Sequence, residues 1–273
     1  MKRKFGINAL YLKDCNDIES LALMKEAGFE AFFSESCDPK HVLELKNEAV
    51  RLGLDFEFIH SPFYWKTPEG RVIHVNTYWK QDLDYLPLFE KVKLSIDAAK
   101  EAEVKTIVHH VGGYWVPPQM NDLGISRFDA MVEYAVKRGV RVAFENLQHI
   151  GNISALLDRY ENIPEVGFCY DCGHEHCYTE TIPFLDLFGK RTFCTHLHDN
   201  WGRDKENPMK DADYHLLPFD GNIDYSVMMK KLDRYGYENS LMLECGPGAK
   251  YKDLSAPEFF ALAYERVKRI SES

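Results

Sequence analysis

The chain has 273 residues, of which 45% are hydrophobic and 28% charged, and its 33 Lys and Arg against 43 Asp and Glu leave a formal net charge of −10. That length and composition suit one large α/β domain or two ordinary ones, and the acidic balance opposes binding to a nucleic-acid phosphate backbone. No run of about 18 apolar residues exists, which excludes a transmembrane helix. The basic start MKRKFGINALYL meets Asp14 too soon for a signal peptide, and seven scattered cysteines fit a reduced, cytoplasmic protein better than a disulfide framework.

Short β-branched and aromatic runs alternate with stretches whose apolar residues recur every three or four positions. Residues 4–10 read as a strand and 18–29 as the helix behind it. Strand 30–36 is followed by helix 39–53, and strand 54–61, after a long loop, by helix 86–104. Strand 105–111 precedes helix 126–139, and strand 140–146 precedes helix 153–162. Three more strands follow at 166–171, 192–199 and 240–245. Gly28, Gly53 and Gly139 each stand just past a helix, where a C-cap prefers glycine. Eight strands with intervening helices predict an α/β fold, a single closed (β/α)8 TIM barrel over residues 1–273.

Two long loops interrupt the alternation. The first, 61–85, carries Phe63, Tyr64, Trp65, Tyr78, Trp79 and Tyr85. The second, 200–222, carries Trp201, Arg203, Lys205, Lys210, Asp213 and His215. Loops this long in a compact domain serve as lids or binding loops; a contact between subunits is the alternative for the aromatic one.

Six carboxylates and imidazoles stand at or just after strand ends: His60 in FEFIHSP, His110 in KTIVHHVGG, Glu145 in VRVAFENL, Asp171 in VGFCYDCGH, His196 in TFCTHLHDN and Glu244 in SLMLECGP. In a parallel barrel such positions converge on the C-terminal rim. Glu145, Asp171, His196 and Glu244, from strands five to eight, form a donor set suited to Mn, Mg, Co or Zn, and a bound cation would remove the repulsion among their carboxylates. Asp171-Cys-Gly-His174 and Asp213-Tyr-His215 add further pairs. His60, His110, His174, Asp213 and His215 are either additional metal ligands or groups that orient the inner set.

Taken in order, HSPFY, HVG, EN, DCGH, HLHD, DYHLLPFDGNID and ECGP resemble the xylose isomerase-like TIM barrel superfamily, which includes sugar phosphate isomerases and epimerases and endonuclease IV. The resemblance spans nearly the whole chain. In the epimerase branch it implies a divalent metal on Glu145, Asp171, His196 and Glu244. It also implies a small sugar or polyol substrate, and an enediolate formed and quenched by Glu145 and Glu244 as acid and base. His60, His110, His174 and Arg203 would touch the substrate. A dehydratase on the same site is an alternative. In the endonuclease IV branch His60, His110, Glu145, Asp171, His174, His196, Asp213, His215 and Glu244 would hold three zinc ions. The acidic charge and the lack of a basic stripe oppose that branch. The resemblance further implies a homo-oligomer.

The remaining signals are weaker. His109 should face away from the site by strand alternation. His198 either reaches the site or bonds to Asp199. His149 and His176 sit in rim loops, and His41 and His74 carry no signal. Cys169 and Cys172 should pack near the rim. Gly112 and Gly113 could offer backbone N–H groups to an anion.

Overall fold

The computed structural model describes residues 3–81 and 83–273; Met1, Lys2 and Asp82 lie outside the described residues, and with them the start of the basic N-terminus. The strands are β1 Phe5–Asn8, β2 Ala31–Ser34, β3 Asp55–His60, β4 Tyr64–Lys66, β5 Val72–His74, β6 Thr106–His110, β7 Arg141–Glu145, β8 Val166–Asp171, β9 Thr192–His196 and β10 Leu241–Leu243. The main helices are α1 Asp17–Ala27, α2 Pro39–Leu52, α3 Leu86–Glu101, α4 Asp122–Val136, α5 Ile150–Arg159, α6 Cys172–His174, α7 Phe184–Phe188, α8 Tyr225–Arg234 and α9 Ala256–Ser271.

Eight of the strands form one sheet in the order β10-β1-β2-β3-β6-β7-β8-β9. The registers β1 with β2 and β10, β3 with β6, and β6 with β7 are parallel. The two end strands are joined by a parallel bridge between Leu197 and Leu243, with the Leu197 N–H donating to Met242 O at 2.8 Å and the Glu244 N–H to Leu197 O at 3.1 Å. Every sheet strand leads into a helix, so the expected (β/α)8 barrel is the observed fold. Its strands read as unbroken apolar runs because both faces are covered; all six residues of β8 are buried.

By packing, the chain falls into two compact units. The first comprises Met1–Phe33, Glu44–Phe56 and Cys169–Ser273. There Tyr264 of α9 meets Phe5 and Phe29 edge-on, over a core that includes Leu21, Met24, Phe259 and Phe260. The second comprises Ser34–Leu43 and Glu57–Phe168. Its core is aromatic, with Phe128 against Tyr78, Trp79 and Phe144.

Each long loop belongs to one unit and is held by specific bonds. In the second unit, β4 and β5 pair as an antiparallel hairpin, and Lys91 of α3 stands 4.2 Å over the Trp65 ring. A 3-10 helix follows at Val75–Trp79. Trp79 Nε1 donates to Val111 O at 2.8 Å, and Arg127 of α4 donates to the Thr77, Tyr78 and Lys80 carbonyls. In the first unit, the loop 200–222 hangs on Asp199. The Asp199 carboxylate accepts the backbone N–H groups of Asn200, Phe219 and Ile223, and its backbone exchanges both bonds with Leu216.

Two helices begin earlier than expected. α4 begins at Asp122 rather than 126, because Asn121 caps it by accepting the Gly124 N–H at 2.8 Å. Gly124 admits the Trp79 ring, which a Cβ there would meet at 2.0 Å. α5 begins at Ile150 rather than 153. Gly28, Gly53 and Gly139 take the left-handed conformation expected of C-caps, with φ of 109°, 65° and 72°.

Candidate active site

In the second unit the ends of β3, β6 and β7 bring His60, His110 and Glu145 together. Glu145 is buried, and its Oε2 lies 3.1 Å from His60 Nε2 and 3.2 Å from His110 Nε2. Phe63 stacks on His110 with ring centroids 4.3 Å apart, which fixes that imidazole's plane. One ligand atom from each of the three lies within 4.8 Å of the others. His60 Nδ1 is 3.0 Å from the Ser61 carbonyl, an acceptor, so Nδ1 carries a hydrogen. If the ring is neutral, its Nε2 lone pair then points at a carboxylate oxygen. A proton or a cation is needed between them.

In the first unit β8, β9 and β10 contribute Asp171, His196 and Glu244. One ligand atom of each lies within 4.8 Å of the others. His196 Nδ1 is 3.4 Å from Glu244 Oε2 and 4.0 Å from Asp171 Oδ2, and the His196 ring stacks on Phe33 at 5.0 Å. In the DCGH turn the His174 N–H donates to Asp171 Oδ1 at 2.6 Å, and His174 Nε2 lies 3.0 Å from Asp213 Oδ2.

The loop 200–222 delivers Asp213 and His215 to the same place. His215 adopts φ 45°, an uncommon backbone state for a residue with a Cβ, and such strain concentrates at functional sites. Its Nδ1 is 2.9 Å from the Glu244 carbonyl and its Nε2 3.1 Å from Asp213 Oδ2. Both nitrogens face acceptors, as at His60. Burial opposes charge on His215, but Asp213 first and then Glu244 and Asp171 outweigh it and push its pKa up to about 10. Burial likewise opposes charge on Asp213, yet the imidazoles of His174 and His215 hold that carboxyl well below the usual range. Asp213 Oδ1 is buried without a hydrogen bond. His174, His198, Asp213 and His215 also offer ligand atoms within 4.8 Å of one another.

Two acceptor-facing imidazoles, an orphaned carboxylate oxygen and a His/Asp/Glu donor set fit a divalent cation. Inner residues Asp171, His196 and Glu244 would hold one. The same chemistry is present at His60, His110 and Glu145, and at His174, His198, Asp213 and His215.

The other sequence signals resolve variously. Arg203 donates its Nε to Pro208 O at 3.1 Å within its own loop. His109 faces away, buried against Tyr78 and Phe128 and bonded to Ser61 Oγ at 2.8 Å. His149 binds Trp115 O and His176 binds Asn222 Oδ1. Cys169 and Cys172 are free and buried. The Gly113 N–H is taken by Asn76 Oδ1 at 2.8 Å, leaving it nothing to offer an anion. His198 reaches the site and does not bond to Asp199: its Nε2 lies 3.1 Å from both oxygens of Asp171. Alternation with His196 was the signal for it, but the loop-anchoring work of Asp199 had none.

A parallel (β/α)8 barrel with carboxylates and imidazoles gathered at strand C-terminal ends is the architecture of a barrel enzyme. Residues 21–258 match the family model described as "Xylose isomerase-like TIM barrel", and the chain belongs to that family. Two curated relatives are uncharacterized proteins. MJ1311 of Methanocaldococcus jannaschii is 24% identical over 263 residues, 88% of this chain and 83% of that protein. y4fM of Sinorhizobium fredii is 31% identical over 152 residues, 53% of this chain and 45% of that protein, so the chain spans less than half of that relative. Among solved structures, a D-tagatose 3-epimerase-like protein superposes with TM-score 0.70 at 21% identity, covering 98% of this chain and 97% of that one. The IOLI protein with a bound zinc atom gives 0.70 at 16%, covering 98% and 96%. D-allulose 3-epimerase from Methylomonas sp. in complex with D-allulose gives 0.70 at 14%, covering 99% and 96%. At these identities the likeness shows the fold. Among the described residues no helix is long and apolar enough to cross a membrane.

Proposed function

We propose that the protein is a divalent-metal-dependent isomerase or epimerase of a small sugar, phosphorylated or not. The observation that carries the reading is the gathering of Asp171, His196 and Glu244 within 4.8 Å at the ends of three strands. Glu145, which ends β7, the neighbour of β8 in the sheet, is the fourth ligand in this proposal. The family supports it, as do the sugar epimerases among the solved structures of the same fold. Mn, Co, Mg and Zn all suit the donors. A single domain, a cytoplasmic location and a homo-oligomer belong to the same proposal.

A cation held by these residues would supply Lewis acidity to the substrate oxygens, which would make the C–H on the carbon next to the carbonyl more acidic. Glu145 and Glu244 act as the acid/base pair, one carboxylate taking the proton from carbon and the other returning it on the opposite face or the adjacent carbon. Glu244 is the more accessible of the two, with its side chain 12% exposed against 1% for Glu145. His60, His110 and His174 hold substrate oxygens. Arg203, on the loop 200–222, serves the substrate as a cation.

The additional clusters favour one second reading: three zinc ions and phosphodiester hydrolysis at abasic DNA. Metal content separates the two. We expect about one ion per chain in protein purified without added metal or chelator, together with ketose isomerisation or epimerisation that disappears in Glu145→Gln. Full turnover in that variant sinks the acid/base pair. About three zinc ions per chain, with incision of an abasic oligonucleotide that chelator abolishes, establishes the second reading instead.

A further inference from the structure

His198 is fully buried at the end of the HLHD run, directly behind Asp171. Its Nε2 stands 3.1 Å from both Asp171 oxygens. An ionised carboxylate only accepts, so the hydrogen of His198 is on Nε2 and is shared by both oxygens. The ring is clamped on its two faces. On one side it stacks on His215, with centroids 4.0 Å apart and planes at 14°. On the other it lies against Gly173, where a Cβ would stand 1.9 Å from His198 Cε1. Gly173 is not among the residues with positive φ, so space for this ring, rather than backbone freedom, is what glycine supplies in the DCGH turn. The remaining nitrogen, Nδ1, is buried without a hydrogen bond. Leaving a ring nitrogen so is costly, and the donated Nε2 bond is what is gained for that cost.

We propose that His198 is a positioning residue: its Nε2–H fixes the orientation of the Asp171 carboxylate, and Gly173 exists to admit its ring. The inference rests on the reading of Asp171 as a metal ligand. A carboxylate ligand held by an outer hydrogen bond is already turned to the ion, and loss of such a bond commonly costs 10–100-fold in metal affinity. The His198–Asp171 bond also joins Asp171 to the loop residues, since the same ring supports His215.

The test compares His198→Phe with His198→Gln in chelator-stripped full-length protein, titrated with Mn²⁺ and with Zn²⁺ by calorimetry, with thermal melts of the metal-free proteins alongside. Phe keeps the flat ring and loses the donor. Gln keeps a donor at the reach of Nε2 and loses the ring. We expect the Phe variant to bind about 10–100-fold more weakly and the Gln variant close to wild type. Gly173→Ala, which displaces the ring without touching any donor, should resemble Phe. A Phe variant as tight as wild type, or a Gln variant as weak as Phe, overturns the proposal and makes the role one of packing. Wild-type protein that takes up neither ion overturns the metal reading itself, a separate result visible before any variant is made.

Discussion

Glu175 follows the DCGH turn and lines a cavity of about 190 Å³ with Tyr170, Met228 and Lys231. Burial lifts its pKa from 4.5 to about 7, against the opposing pull of the Phe184 N–H, Lys231 and Tyr170. The folded state therefore holds this proton more tightly than the unfolded chain. Its stabilising contribution is complete below pH 4.5 and is lost as pH rises to 7. We expect Glu175→Gln, which retains an acceptor for the Phe184 N–H, to flatten that fall and to be more stable than wild type at pH 8 by about 2–3 kcal/mol. Urea denaturation across pH 5–8 measures it, and parallel curves for the two proteins refute it. His215 shifts in the same direction through a different window. In metal-free protein its charge with Asp213 stabilises fully below pH 6.5, and that support is lost as pH rises towards 10. Asp213→Asn removes the largest of the groups that raise it, so the decline above pH 6.5 should be much smaller in that variant.

At the scale of elements, Asp199 decides whether the loop 200–222 presents Asp213 and His215 at all. Three backbone N–H groups converge on one fully buried carboxylate. Alanine there takes the acceptor from all three, one of them buried and two part-buried, and we expect a loss of about 3–5 kcal/mol. The loop should also open to trypsin at Arg203, Lys205 and Lys210. Denaturation and limited proteolysis check both; an intact, equally stable variant would remove Asp199 from this role. The strands and their terminal His, Asp and Glu were legible because each is a short apolar run closed by one polar residue. The hairpin β4–β5 was not. Its strands are three residues long, too short for a period, and are held by Lys91 on α3 rather than by their own pattern. The start of α4 was hidden by Gly124, which resembles a breaker until Trp79 is seen to occupy its space. The six strand-end residues came from local pattern alone. Alternation with His196 marked His198 too, but not its role, which depends on the Gly173 and His215 flanks that only folding brings together.

At the scale of the whole chain, neither compact unit is a continuous stretch: the chain passes from one to the other at 33/34, 43/44, 56/57 and 168/169. Residues 34–43 and 44–56 split the single helix α2 between them. A helix cannot lose half its turns and keep the rest at little cost, because its end groups must be satisfied anew. The units should therefore unfold together, as one barrel domain. The tryptophans offer a direct check. Trp65, Trp79 and Trp115 lie in the second unit and only Trp201 in the first, whereas α1, α8 and α9 give the first unit much of the helical signal. Tryptophan fluorescence thus reports mainly the second unit and far-ultraviolet circular dichroism reports both. We expect the two urea transitions to coincide in midpoint, and to move together when a divalent cation is added, by about 2.7 kcal/mol at a free concentration 100 times Kd. Fluorescence that changes well before the helical signal would mean two independently stable domains. A cation that shifts one transition alone would assign its ligands to that unit.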